Sequence, residues 1–311
     1  MKNIFHFFLL LLMCSQFFAA AQSSKYRHLV GSNLEVAMNP VYSPDGTMIA
    51  FTKSGYTGIY VYNLEKDKVT QITDELSAGY GFKWSSDSKS ILSRVARYEG
   101  PHRYNSLKIF DVQSGAPTQI SEESTSMPYL PEWAPGNSKV ILPQRDGLKI
   151  FETGKEPFFL ENESPVVVFS LNDKIVVKDL SKETETVLVP FNSQKYLNVI
   201  LSPDKSKIAF EVYGGNLFVM NIDGSDLIDL DVGYNPKWSP DSKSLVYMIT
   251  EDDGHAFTSA DIFMITVDGM NKTNLTNTED EIELNPSISP DGRTIVFESF
   301  LNGSIYLMNL D

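Results

Sequence analysis

The sequence predicts an all-β protein, a β-propeller of four-stranded antiparallel blades with seven blades favoured over six and the ring closed by an N-terminal strand. Three observations carry this expectation. A short turn phrase recurs along the chain at blade-sized intervals. Each copy is followed by the same series of strand-forming runs and tight turns. The two ends of the chain hold complementary pieces of one repeat.

The phrase first reads Asn39-Pro-Val-Tyr-Ser-Pro-Asp-Gly46 and then Phe82-Lys-Trp-Ser-Ser-Asp-Ser88. It returns at Glu132-Trp-Ala-Pro-Gly-Asn137, Val199-Ile-Leu-Ser-Pro-Asp-Lys205, Asn235-Pro-Lys-Trp-Ser-Pro-Asp-Ser242 and Asn285-Pro-Ser-Ile-Ser-Pro-Asp-Gly292, with a worn copy at Val168-Phe-Ser-Leu-Asn-Asp173. Successive copies start 31 to 50 residues apart. Pro presets one φ of the turn, Asp tolerates the next position and Gly accepts positive φ. After the fourth strong copy, Lys207–Val212 and Asn216–Asn221 read as strands joined by Gly214-Gly215, and Asp223-Gly224 turns the chain toward Leu227–Leu230. Between Phe151 and Val199 only one strong hairpin is clear, so the fourth blade is expected to keep about three strands.

Ile305–Leu310 is a third strand with no fourth after it. Leu29 lies ten residues before Asn39, as Leu275 lies ten before Asn285. Residues 26–32 therefore read as the missing fourth strand of the last blade, delivered from the other end of the chain.

Ahead of that strand, residues 1–21 read as a secretory signal peptide: Lys2, an apolar run from Ile4 to Met13, and Ala19-Ala20-Ala21 as the cleavage site. The apolar run is short of the ~20 residues that span a bilayer. Residues 22–311 then form a single propeller domain, periplasmic or extracellular, with no transmembrane span. Cys14 is the only cysteine, and Met13 before it argues against a lipid anchor there. Disulfides therefore contribute nothing to the mature domain. The 26 basic and 40 acidic residues give a net charge of −14. Such a chain lacks the basic footprint of a nucleic-acid binder.

The Trp-Ser-Pro-Asp-(Gly/Ser)-Lys phrase, with its Ile-Tyr-Val-Met-Asn-type strands and Asp-Gly turns, resembles the PD40 repeat of TolB-like propellers over essentially the whole mature chain. That resemblance implies the propeller fold. Its members include translocation proteins, the propellers of prolyl-oligopeptidase-like peptidases and oligogalacturonate-lyase-like enzymes, so it does not choose an activity. No Gly-x-Ser-x-Gly elbow occurs. The lyases hold a metal through propeller histidines; His28, His102 and His255 do not match that pattern.

Trp84, Trp133 and Trp238 share one repeat position with Tyr42, Phe169, Leu201 and Ile288, which makes it a packing slot. The recurring aspartates Asp45, Asp87, Asp204, Asp241 and Asp291 are turn formers. Two second-to-third-strand links are longer than the repeat needs, 94–104 and 250–259. Read as loops, they emerge on one face and supply the candidate ligand-binding residues: Arg94, Arg97, Tyr98, His102, Arg103 and Tyr104 in blade 2, and Glu251, Asp252, Asp253 and His255 in blade 6. Since those blades are not neighbours, a ligand touching both would span the channel mouth. The expected role is a non-enzymatic exported scaffold for a protein or extended glycan. No catalytic residue, metal or cofactor is assigned; the alternative is a lyase of oligogalacturonate type using a divalent metal.

Overall fold

The computed structural model describes residues 25–158 and 165–310. The signal-peptide segment and Cys14 lie outside them. Seven antiparallel sheets follow one another around the ring. Blade 1 is Ala37–Tyr42, Met48–Lys53, Thr57–Asn63 and Lys68–Thr73. Blade 2 is Lys83–Trp84, Ser90–Glu99, His102–Asp111 and Pro117–Gln119. Blades 3 and 4 have three strands each among the described residues: Glu132–Trp133, Lys139–Gln144 and Gly147–Glu152, then Val166–Leu171, Lys174–Asp179 and Thr184–Leu188. Blade 5 is Tyr196–Leu201, Lys207–Val212, Leu217–Asn221 and Ile228–Asp229; blade 6 is Tyr234–Trp238, Ser244–Asp252, Phe257–Thr266 and Lys272–Asn274. Blade 7 takes Glu283–Ile288, Thr294–Ser299 and Ser304–Asn309, and its fourth strand is Tyr26–Gly31.

The N-terminal strand pairs antiparallel with Ser304–Asn309, from Tyr26 opposite Met308 to Gly31 opposite Ser304. The ring thus closes as the spacing of the chain ends implies. Seven blades are present, and the worn copy at 168–173 is the inner strand of blade 4. Blade 4 is trimmed as expected, whereas the three-stranded blade 3 had no clear sequence signal.

The repeated aromatic slot does two jobs. Trp84 and Trp238 are buried, and the indole Nε1 of each tryptophan donates to the preceding blade: Trp84 to Val41 O at 3.1 Å, Trp133 to Lys83 O at 3.1 Å and Trp238 to Ile200 O at 3.3 Å. Tyr42 carries the same link across the closure, its hydroxyl 2.7 Å from Thr294 Oγ1 of blade 7. A buried indole N–H needs an acceptor, so one side chain both fills the gap between blades and pins their register.

The turn phrase is coupled in the same way. In each Ser-x-Asp copy the Ser hydroxyl donates to its own Asp, for example Ser43 to Asp45 and Ser239 to Asp241, both at 2.6 Å. The next residue takes left-handed φ and reaches back. Ser88 accepts from the Asp45 N–H, Ser242 from the Asp204 N–H, and Asn137 from the Ser86 N–H, each at 3.0 Å. The core lies in the seams between sheets, as in the cluster joining Ala50, Ile59 and Val61 of blade 1 to Trp84, Ile91 and Phe110 of blade 2.

Candidate functional site

Successive strands of a meander run in opposite directions, so the second-to-third turns of all blades emerge at one end of the channel. The insertions of blades 2 and 6 rise there, but not as loops. Pairing in blade 2 continues from Ser90 opposite Asp111 to Glu99 opposite His102, leaving only Gly100-Pro101 as the turn. In blade 6 it continues to Asp252 opposite Phe257. The segments are raised hairpins, and their charged residues decorate strands rather than free loops.

Arg97 is neutralised within its own hairpin and the link beside it. Its Nε and Nη2 form a fork on Glu123 at 2.9 and 2.8 Å, Nη1 bonds Glu99 at 3.0 Å, and the guanidinium lies 4.9 Å from the centre of the Tyr104 ring. Those hydrogen bonds hold the guanidinium well above the usual arginine range. Arg103 donates to Asn105 Oδ1 and Ser77 Oγ. Arg94 is partly buried. Its Nη1 donates to the carbonyls of Met127 and Tyr129, Nε is buried without a hydrogen-bond partner, and Tyr80 lies beneath the guanidinium. Burial and the neighbouring Arg103 pull it below the ordinary arginine value. Tyr98 is 55 % exposed, and the exposed His102 ring stands 6.5 Å from Tyr104.

Glu251, Asp252, Asp253 and His255 are exposed. Asp252 accepts the Gly254 N–H, and Asp253 accepts the N–H groups of His255 and Ala256, so these two carboxylates shape the hairpin turn. No group of three His, Cys, Asp or Glu side chains disposed to hold a metal occurs among the described residues. The blade 2 and blade 6 residues share one end of the ring without meeting in one site.

What joins them is apolar, and sequence reasoning missed it. Going round the short way from blade 6 to blade 2, the rim exposes Phe257, then Phe300 and Leu301 at the turn of blade 7, then Leu34 on the link to blade 1. It continues with Tyr56 at the turn of blade 1 and with Leu76 and Tyr80 on the link to blade 2. Phe257 meets Phe300 edge-on at 5.9 Å, and Tyr56 meets Tyr80 edge-on at 5.1 Å. A ligand can therefore follow the rim from one hairpin to the other without crossing the channel mouth. The available signal was one large apolar residue in each of several consecutive turns.

The fold is that of a seven-bladed β-propeller. The chain is similar to a solved structure described as "putative TolB from Agrobacterium tumefaciens", with 16 % identity, 89 % of this chain and 91 % of that chain covered, and a TM-score of 0.54. At that identity the likeness establishes the fold alone, and 1171 solved chains match it, so the fold does not select a function. No protein-family model and no curated protein sequence matches the chain. No helix among the described residues is long and apolar enough to cross a membrane.

Proposed function

We propose that the protein is an exported, non-enzymatic binding scaffold that holds a protein partner on the end bearing the hairpins of blades 2 and 6. The observation that carries this reading is the run of exposed apolar side chains over blades 6, 7, 1 and 2, bounded by the two raised hairpins. Large apolar side chains left in water over consecutive turns mark interaction surfaces, whereas scattered ones do not. Leu34, 95 % exposed, stands among the aromatics with Leu76 and Leu301. Aliphatic side chains favour a protein surface over a glycan, which stacks on aromatic faces. The end near blade 6 also carries Glu251, Asp252, Asp253, Glu279, Asp280 and Glu281, so a basic partner surface fits there. The signal-peptide reading of residues 1–21 puts this scaffold in the periplasm or outside the cell, without lipid at Cys14. Export, the partner and its face are parts of this one proposal.

The test is a pull-down from envelope extract with the mature protein and a Leu34→Ser, Phe300→Ser variant. Partner capture is expected to fall at least about tenfold while the melting temperature stays within a few degrees, because both side chains are exposed. Equal capture of every partner by the variant would move the binding face elsewhere.

A further inference from the structure

The ring encloses a second feature, independent of the rim. The inner strands of blades 2 and 3 keep only two residues each, Lys83–Trp84 and Glu132–Trp133, and the inner wall is correspondingly open on that side. A cavity of about 710 Å3 lies there, lined by the inner strands of blades 2 to 6. Three lysines, Lys83, Lys205 and Lys237, and one glutamate, Glu132, line it, with Lys205 on the turn after the inner strand of blade 5. Lys83 Nζ is paired with Glu132 Oε1 at 3.0 Å. Lys237 has no carboxylate within salt-bridge distance among the described residues. Its Nζ donates to Asn235 Oδ1 at 2.6 Å, and an ammonium has three hydrogens to give. Glu211 stands behind Asn235, accepting the Asn235 N–H at 2.5 Å and the Asn198 amide at 2.6 Å. The remaining walls include Trp133, Leu130 and Val168.

We propose that this cavity binds a small organic monocarboxylate, with the carboxylate on Lys237 Nζ and an apolar body against the Trp133 and Leu130 side. The Lys237 ammonium, held by Asn235 and facing the Lys83–Glu132 pair that is already neutral, offers a site for one negative charge, while Lys205 sits on a turn at the cavity's edge. Lys237 is half-buried, and in a chain with net charge −14 a lysine drawn partly out of water without a counter-ion is costly unless something pairs with it. Desolvation, followed by repulsion from Lys83, lowers Lys237 to about 8 against the attraction of Glu211 and Glu132. An incoming carboxylate supplies the missing partner and favours the charged form. Binding therefore weakens as pH rises through and beyond that value, when an empty site loses its proton.

The experiment uses the mature protein, phenylacetate as the probe and phenylacetamide, its neutral isostere, as the control. Calorimetry at pH 7 is expected to give a saturable one-site isotherm for phenylacetate, with the amide at least about tenfold weaker. Lys237→Met should lose that preference and Lys237→Arg should keep it, so a folding defect in the methionine variant does not decide the matter. Affinity should fall about tenfold between pH 7 and pH 9. Saturable binding of the amide equal to that of the acid, an unchanged affinity in Lys237→Met, or no saturable binding of phenylacetate overturns the proposal. Each outcome is separate from partner capture on the rim, because Leu34 and Phe300 lie outside the cavity.

Discussion

Glu283 begins the inner strand of blade 7 with its side chain 1 % exposed and its Oε2 without a hydrogen-bond partner. Thr278 donates to the other oxygen at 2.8 Å, and Asp261 and Glu281 are its charged neighbours. Burial, reinforced by Asp261, raises the carboxyl from 4.5 to about 7. Glu298 is raised by burial to about 6, against hydrogen bonds from the Asn39 N–H and the Asn285 amide. A raised carboxyl favours the protonated folded state, so its contribution is complete below about 4.5 and is lost as pH rises through 6 to 7. The turn aspartates act oppositely. Asp241 and Asp291 are lowered by the hydroxyls of Ser239 and Ser289, and their contribution is lost as pH falls below the ordinary carboxylate range. The melting temperature is therefore expected to peak near pH 5 and to decline toward pH 8. Glu283→Gln should remove part of that decline, gaining about 1–3 kcal/mol at pH 8 and little at pH 5. Melts at the two pH values check this, and an equal change at both would count against the carboxyl as its source.

The inner strands show how one backbone distortion organises an element. Asn39, Asn198, Asn235 and Asn285 sit at bulges with φ of 58°, 47°, 53° and 52°. The bulge turns the Asn N–H toward the second strand of the preceding blade. There Glu298 accepts from Asn39, Glu211 from Asn235, and the Met248 sulfur from Asn285 at 3.4 Å. Asn285→Ala loses the amide bond to Glu298 at 3.0 Å and places a Cβ-bearing residue without that amide at positive φ. A cost of about 2 kcal/mol is expected, with Asn285→Gly closer to wild type, read from the denaturant midpoint. The Asn-Pro dipeptides made Asn39, Asn235 and Asn285 visible in the sequence, whereas Asn198 precedes Val199 and carries no such mark, and the Pro-Asp turns made the blades visible. The hairpins of blades 2 and 6 were not read as strands because their charged residues look like loop, while Val95 and Ala96 carry the buried side. The cavity was legible in principle. The residue before the aromatic slot is Val41, Lys83, Glu132, Val168, Ile200, Lys237 and Ser287 in turn, and only blades 2, 3 and 6 place a charge there. The rim was harder, because each exposed side chain lies in a different turn and only the ring order brings them together.

At the scale of the whole molecule the ring is held at one seam by a strand that is distant in sequence. Tyr26–Gly31 pairs with Ser304 to Met308 through one bulge, Tyr26 packs edge-on against Phe297 at 5.4 Å, and its hydroxyl donates to Thr276 O at 3.0 Å. Removing the strand exposes the hydrogen-bonding edge of Ser304–Asn309 and uncovers apolar surface of blade 7, which links folding loss to self-association. Deleting residues 26–31 is expected to cost several kcal/mol, to lower the melting temperature by about 8 °C or more, and to produce aggregates on heating. A point substitution tests the same seam without shortening the chain. Gly31 has φ of 99°, and a Cβ there would come within 2.3 Å of Gly303 O and 2.8 Å of Ser304 Cα. The two nearest atoms are backbone of the paired Gly303-Ser304 segment and the third is the short Ala37 Cβ, so no flexible side chain gives way and Gly31→Ala should destabilise by about 2 kcal/mol or more. Gly100 has a similar positive φ of 57° at the tip of the blade 2 hairpin, with nothing within 4 Å of an added Cβ. Gly100→Ala pays only the backbone strain and should cost about 1 kcal/mol. If the two substitutions lowered the melting temperature equally, the closing seam would carry no special share of the stability. A larger loss at Gly31 places that share at the closure.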